Sequence, residues 1–445
     1  MQKLTLEYHT SHEFRRGGNL FDLPPHETDI TEQTDHSING GGLTYDLFFS
    51  EYKHKVSVYA SMQHIDRKSY YGTDKDPNAY GTTKDLTWVT GATYIVNINR
   101  MLFSPATLTT GIEYQSNHLH DKMLGYKRDL KQDVRIGSGY VQNEWTGDKL
   151  NLLAGVRLDK HNLIDHLIFS PRVNLLYKPS DAIQGRLTFS TGFRAPQAYD
   201  EDLHVAAVGG EGMVIRLAPG LKEERSLSYS GSVDLYKNFG RWQTNLLVEG
   251  FYTDLRNVFV LEKIGHDQDS ILVQERRNGK GARVYGLNLD GKVAYTAAYQ
   301  LQLGFTFQKS RYKEAYEWSE TSAPVLNMLR TPDVYGYLTF TCNPWKTLQT
   351  SLSGTYTGKM YVPHFAGNIP EDRLERSPDF FDLNLKVSYD FRLTGKIMLQ
   401  VNAGVQNIFD SRQKDFDSGA DRDSKYFYGP AQPRSYFAGI KLFNL

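Results

Sequence analysis

Connections of alternating length are the feature that most constrains what this chain can fold into. Period-two alternation of apolar and polar residues recurs in about eighteen short runs, in the length range of tilted membrane strands. They fall at residues 3–8, 40–50, 55–65, 88–98, 106–115, 138–145, 150–159, 169–177 and 183–191. The second half carries them at 226–236, 241–255, 283–294, 299–312, 334–342, 348–356, 380–391, 397–408 and 435–443. Short connections (51–54, 99–105, 146–149, 179–182, 237–240, 296–298, 343–347, 392–396) alternate with long ones (10–39, 66–87, 116–137, 192–225, 256–279, 313–333, 357–379, 409–434). Residues 160–168 take a long-side place at short length. Short turns on one rim and long loops on the other imply an all-β, antiparallel transmembrane barrel of the bacterial outer-membrane kind. A soluble sandwich has no such parity.

The faces of the strands agree. In 226–236, Leu227, Tyr229, Val233 and Leu235 share one side, and Ser226, Ser228, Ser230, Ser232 and Asp234 the other. In 382–391, Leu383, Leu385, Val387, Tyr389 and Phe391 oppose Asp382, Asn384, Lys386, Ser388 and Asp390. Alternation does not say which side faces in. Aromatic residues do: Tyr177, Tyr236, Tyr295 and Phe391 lie where strands meet short turns, as an interfacial girdle would. The expectation is therefore a polar lumen, with Leu227, Val233, Leu385 and Val387 outward. With the C-terminus on the short-turn, periplasmic side, every long loop faces outside.

Composition fits one large β-structure. The 29 tyrosines and 23 phenylalanines favour strands. No apolar stretch is long enough for a transmembrane helix, and mean hydropathy is −0.51. A net charge of zero gives no footprint for nucleic acid. The single Cys342 excludes an internal disulfide framework. No nucleophile elbow, zinc-protease, Walker or dinucleotide signature is present, so the sequence points away from an enzyme.

Several motifs carry a family resemblance. Gly192-Phe193-Arg194-Ala195-Pro196 ends one strand, and Leu221-Lys222-Glu223-Glu224-Arg225-Ser226 opens the next. Near the end stand Asn407-Ile408-Phe409-Asp410, Tyr428-Gly429-Pro430 and Pro433-Arg434, followed by a final alternating strand. In this order they resemble the barrel of TonB-dependent outer-membrane receptors, from Lys3 to the C-terminus. The resemblance implies uptake of a bulky nutrient across the Gram-negative outer membrane: an iron–siderophore complex first, haem or cobalamin otherwise, with no permanently bound cofactor. It also implies a plug that couples transport to TonB, ExbB and ExbD. Nothing in residues 1–445 matches a plug, a TonB box or a signal peptide. Plugged receptors have about 22 strands, so the chain reads as a partial barrel domain of about eighteen. The rival is a passive porin, whose even strand count of about eighteen also fits; a third reading is a non-functional gene fragment. If strands are missing, residues 3–8 and 435–443 are sheet edges, and the expectation is an open sheet without a regular ladder between them.

Candidate ligand-binding residues cluster where a strand enters the longest outer loop: Arg194, Tyr199, Asp200, Glu201, Asp202 and His204. The resemblance places this region near the substrate vestibule, although no Asn-Pro-x-Leu box accompanies His204 as in haem receptors. A conformational role for Arg194 and Pro196 at the strand exit is the alternative. His118 and His120 are spaced to share a strand face and a metal. Asp415 and Asp417 crowd the last loop, where carboxylates suit a divalent cation but the spacing is not that of an EF-hand. Solvated polar loops account for both groups as well.

Overall fold

The computed structural model describes residues 1–197, 213–266, 272–419, 421–423 and 425–444. Its regular elements among these residues are all β apart from two 3-10 turns, Pro25–Glu27 and Leu124–Tyr126. In chain order the strands are β1 (Gln2–Gly18), β2 (Ile30–Phe49), β3 (His54–Thr73), β4 (Tyr80–Met101), β5 (Ser104–Met123), β6 (Arg128–Thr146), β7 (Leu150–His161) and β8 (Ile168–Ser180). There follow β9 (Ile183–Arg194), β10 (Met213–Leu217), β11 (Glu224–Phe239), β12 (Trp242–Arg256), β13 (Phe259–His266), β14 (Leu272–Asn278), β15 (Ala282–Tyr295) and β16 (Tyr299–Tyr316). The last are β17 (Val325–Asn327), β18 (Val334–Trp345), β19 (Leu348–Thr357), β20 (Tyr361–His364), β21 (Arg373–Arg376), β22 (Phe380–Thr394), β23 (Ile397–Gln406) and β24 (Ser435–Asn444).

One sheet orders nineteen of these. Setting aside the three-residue β17 leaves eighteen long strands. Each pairs antiparallel with the next in sequence, skipping the small strands β10, β13, β14, β20 and β21 that lie within outer loops. β10–β14–β13 and β20–β21 form separate small sheets. Among the described residues no ladder joins β1 to β24. The sheet therefore ends in two free edges, as the sequence led us to expect. Leu6 on β1 is 78% exposed, against 44% for Leu246 in mid-sheet.

Among the described residues there is no central apolar core. Buried apolar residues cluster in three small groups, around Tyr70, Ile168 and Val362, all on the long-loop side. Large apolar side chains such as Leu187, Tyr229, Val233, Leu246, Leu287 and Val387 are exposed instead. The opposite face is wired by cross-strand polar contacts. Asn288 donates to Glu249 (3.0 Å), Thr306 to Asn288 (2.9 Å) and Gln400 to Asp390 (2.8 Å). Arg157 joins Glu113 and Asp159, both at 2.8 Å. An apolar exterior and a hydrogen-bonded polar interior are what hydrocarbon outside and water inside require.

Aromatic rings crowd the short-turn rim. His54 stacks on Phe49 with centroids 4.8 Å apart, Trp242 meets Tyr295 at 4.8 Å, and Tyr389 meets Phe391 at 4.6 Å. Tyr177, Tyr295 and Phe391 join this girdle on the outward parity. Tyr236 does not: it shares the lumen parity of Asp234, to which its hydroxyl donates at 2.5 Å. Position along the strand suggested the girdle for Tyr236, but a one-residue step reverses the face.

The first strands run well past the lengths expected from alternation. β2 and β3 have 20 residues and β4 has 22, whereas a tilted strand crosses hydrocarbon in about ten. The connection 10–39 is thus mostly paired strand, turning at Gly18. That residue sits at φ +127°, and a Cβ there would lie 2.1 Å from the Ile30 carbonyl oxygen.

Candidate functional site

The two motif runs meet at the outer mouth. Register pairs Phe193 with Arg225 and Arg194 with Glu224, so the end of β9 is clasped by the start of β11. The Arg194 guanidinium lies 3.7 Å from the Glu224 carboxylate and 5.8 Å from the Phe259 ring centroid. Arg276 approaches the same ring at 5.9 Å and donates to the Gln197 carbonyl at 3.1 Å. Glu223 is buried and accepts from His166 at 3.1 Å, with Arg225 at 3.6 Å. Ala195 packs against Ile164 and Ile168. Both readings of Arg194 therefore have a physical basis here. It organises the strand exit, and its guanidinium stays half-exposed at the head of the segment carrying the other candidates. Tyr199, Asp200, Glu201, Asp202 and His204 lie outside the described residues.

His161 was not singled out by sequence reasoning. It is fully buried at the outer tip of β7. The Leu163 N–H donates to its Nδ1 at 3.0 Å. Burial drives its pKa below the usual histidine value, and its Nε2 finds no hydrogen-bond partner among the described residues. This neutral histidine braces the short outer connection after β7 from within.

A second cluster joins the last outer loop to the β20–β21 hairpin. His364 stacks on Tyr426 and reaches Asp417 at 2.9 Å. Asp417 also accepts from the Asp423 N–H at 2.9 Å. Asp415 accepts from the hydroxyls of Tyr428 and Tyr426, at 2.7 and 2.9 Å. Partial burial would raise the Asp415 carboxyl, but the two hydroxyls outweigh it and hold it below the ordinary carboxylate value. Burial, and then the same carboxylate, push both tyrosines up. The buried Gln413 donates to the Tyr426 carbonyl at 3.1 Å and accepts from the Tyr428 N–H at 2.8 Å. Asp415 and Asp417 thus have tyrosine and histidine partners. His118 and His120 do share a strand face, yet each meets its own aspartate: Asp133 at 2.5 Å and Asp129 at 2.7 Å. Among the described residues no three His, Cys, Asp or Glu converge as a metal would need.

A mouth of long loops above a polar lumen fits a receptor for a solute, and the comparisons give the family. The profile of the TonB dependent receptor-like beta-barrel matches residues 4–408. This chain belongs to that family. It is therefore an outer-membrane receptor barrel, from a family of receptors and not of enzymes. No curated protein matches the chain. Many solved structures do share the fold. The siderophore receptor PirA from Acinetobacter baumannii is 15% identical with a TM-score of 0.70, over 93% of this chain and 68% of that one. A mutant of the ferric enterobactin receptor PfeA from Pseudomonas aeruginosa is 17% identical with a TM-score of 0.70, over 99% and 67%. The outer membrane transporter YddB from Escherichia coli is 13% identical with a TM-score of 0.71, over 99% and 66%. The chain spans about two thirds of the length of each of these proteins.

Proposed function

We propose that this chain is the larger part of the barrel of an iron–siderophore receptor, with Arg194 and the segment 199–204 contributing to the ligand vestibule. The observation that carries this reading is the meeting of Arg194, Glu224, Arg276 and Phe259 at the lumen mouth. Guanidinium groups beside an aromatic ring suit a bulky anionic chelate, through charge-assisted hydrogen bonds and stacking. The solved siderophore receptors of like fold support the ligand class over haem and cobalamin. On this reading further strands pair with β1 and β24, a plug fills the lumen, and the plug brings the contact with TonB, ExbB and ExbD. No metal or cofactor is held permanently; the iron is cargo.

The test is equilibrium binding to the 445-residue chain refolded in detergent, titrated with ferric enterobactin, a ferric hydroxamate, haemin and cyanocobalamin. Saturable binding of one ferric chelate, weakened about tenfold or more by Arg194→Ala, is expected. Binding of haemin or cyanocobalamin alone would move the assignment to those ligands. No binding of any, together with steady channel conductance in a planar bilayer, would favour a passive pore.

A further inference from the structure

The outward face of the sheet is not uniformly smooth. Across β8 to β16 it carries a groove of about 1160 Å³. Its floor is one register row, in which Leu187 faces Gly231, Gly231 faces Gly250, Gly250 faces Leu287, and Leu287 faces Phe307. Gly250 makes the notch, since a Cβ there would meet nothing within 4 Å, while the Leu187 side chain leans over the adjacent Gly231, its Cδ2 3.2 Å from where a Cβ would stand. The next row toward the outer loops is aromatic. Phe189 lies 5.0 Å from Tyr229, and Tyr252 lies 6.3 Å from Tyr285, centroid to centroid. That row ends at Lys309, opposite Tyr285, whose ammonium pairs with Asp333 at the rim.

Depth decides what can fill the notch. Tyr229, Tyr252 and Tyr285 each stand about ten residues above the short turns of their strands, the span of the hydrocarbon belt. They therefore form the outer-side interface, and the glycine notch lies just beneath it, in the outer leaflet. It is continuous with the lipid-facing belt and its lining is almost wholly apolar. A neighbouring barrel is itself convex and cannot enter so narrow a notch. A flexible acyl chain can.

We propose that this groove is a lipid-binding site that seats an acyl chain of an outer-leaflet lipid, with the Lys309–Asp333 pair at the level of its headgroup. The aromatic row caps the chain, and Gly250 admits it against the backbone. The site is separate from the solute vestibule and uses the opposite face of the same strands.

The experiment uses the full chain in phosphatidylethanolamine vesicles containing a trace of the same lipid with a photoreactive acyl chain. After irradiation, labelled peptides are identified by mass spectrometry. Gly250→Leu fills the notch. Gly139→Leu makes the same change at another outward glycine with open space around it, and so controls for folding and added bulk. Labelling concentrated on peptides holding Tyr229 and Tyr252 is expected. It should fall about tenfold in Gly250→Leu, since each lost methylene contact is worth about fourfold, and hold in Gly139→Leu. Equal labelling of wild type and Gly250→Leu, or labelling spread evenly round the barrel, would overturn the site. So would a groove occupied by a second copy, seen as Tyr229–Tyr229 proximity in a dimer with little lipid label.

Discussion

His364 lies flat on Tyr426, with ring centroids 3.7 Å apart and planes 8° from parallel, while its Nε2 meets Asp417 at 2.9 Å. Both members of the ion pair are about nine-tenths buried. One residue comes from β20 and two from the last outer loop, so the contact fastens two loops that are far apart in sequence. His364→Ala removes the stacked ring and strands a buried carboxylate, at a cost of about 1–3 kcal/mol. The cost should fall on the loops and not on the barrel ladder. Limited proteolysis is expected to cut near residues 415–428 in the variant first, with unchanged heat-modifiable mobility of the barrel. Cleavage at the wild-type rate would show that the clasp contributes nothing.

The Asp415 trio has a pH window with a definite sign. The folded carboxyl sits below its ordinary value, so its stabilising contribution is complete above about pH 4. It is lost as the pH falls through the lower folded value. Both tyrosines are pushed upward, so they stay protonated donors at neutral and mildly alkaline pH. Tyrosine fluorescence or proteolysis of the last loop should therefore be flat from about pH 5 to 9 and change only in acid. Asp415→Asn should be looser at neutral pH and lack the acid transition. An acid transition of the same size in Asp415→Asn would assign it elsewhere.

Adjacent residues on β11 give a direct reading of inside and outside. Val233 faces outward opposite Val248, and Ser232 faces the lumen opposite Glu249. Arginine at Val233 would stand in hydrocarbon, at about 2–4 kcal/mol near the midplane. Arginine at Ser232 would stand in water beside a carboxylate. Folding into vesicles, followed by urea titration, should show a large loss for Val233→Arg and little for Ser232→Arg. The reverse order would turn the barrel inside out.

What was legible in the sequence follows from solvent. Where one face meets lipid and the other water, period-two alternation is enforced, and 226–236 or 382–391 can be read by eye. Above the membrane both faces are wet. Residues 9–18 read His-Thr-Ser-His-Glu-Phe-Arg-Arg-Gly-Gly and show no period, yet they pair with β2 down to Gly18, because backbone groups still need partners. The site divides the same way. Arg194 and Glu224 each stand in a recognisable motif, and the antiparallel register brings the two motifs together. His364 and Asp417 are separated by 53 residues, and nothing local announces that contact. Phe259 and Arg276 reach the mouth only because β13 and β14 fold back as a separate small sheet.

The two edges of the sheet give the last prediction. In mid-sheet each strand has a neighbour on both sides, so its amides are bonded in both directions. Among the described residues β1 is bonded only to β2, and β24 only to β23. Every second amide along each edge strand therefore points away from its one partner. In water such a group exchanges freely; in hydrocarbon it costs several kcal/mol. Leu4, Leu6 and Tyr8 carry their outward side chains at this edge, so these amides lie at membrane depth. For the chain in detergent micelles, hydrogen exchange should show alternating fast and slow amides along 3–8 and 436–442. In contrast, 245–252 on β12 should be protected throughout. In phospholipid vesicles the same cost should drive edge-to-edge association, giving dimers or higher species whose edge amides become protected. Uniform protection of 3–8 in a monomer would mean that β1 and β24 pair directly, and the chain would then be a closed barrel of eighteen strands.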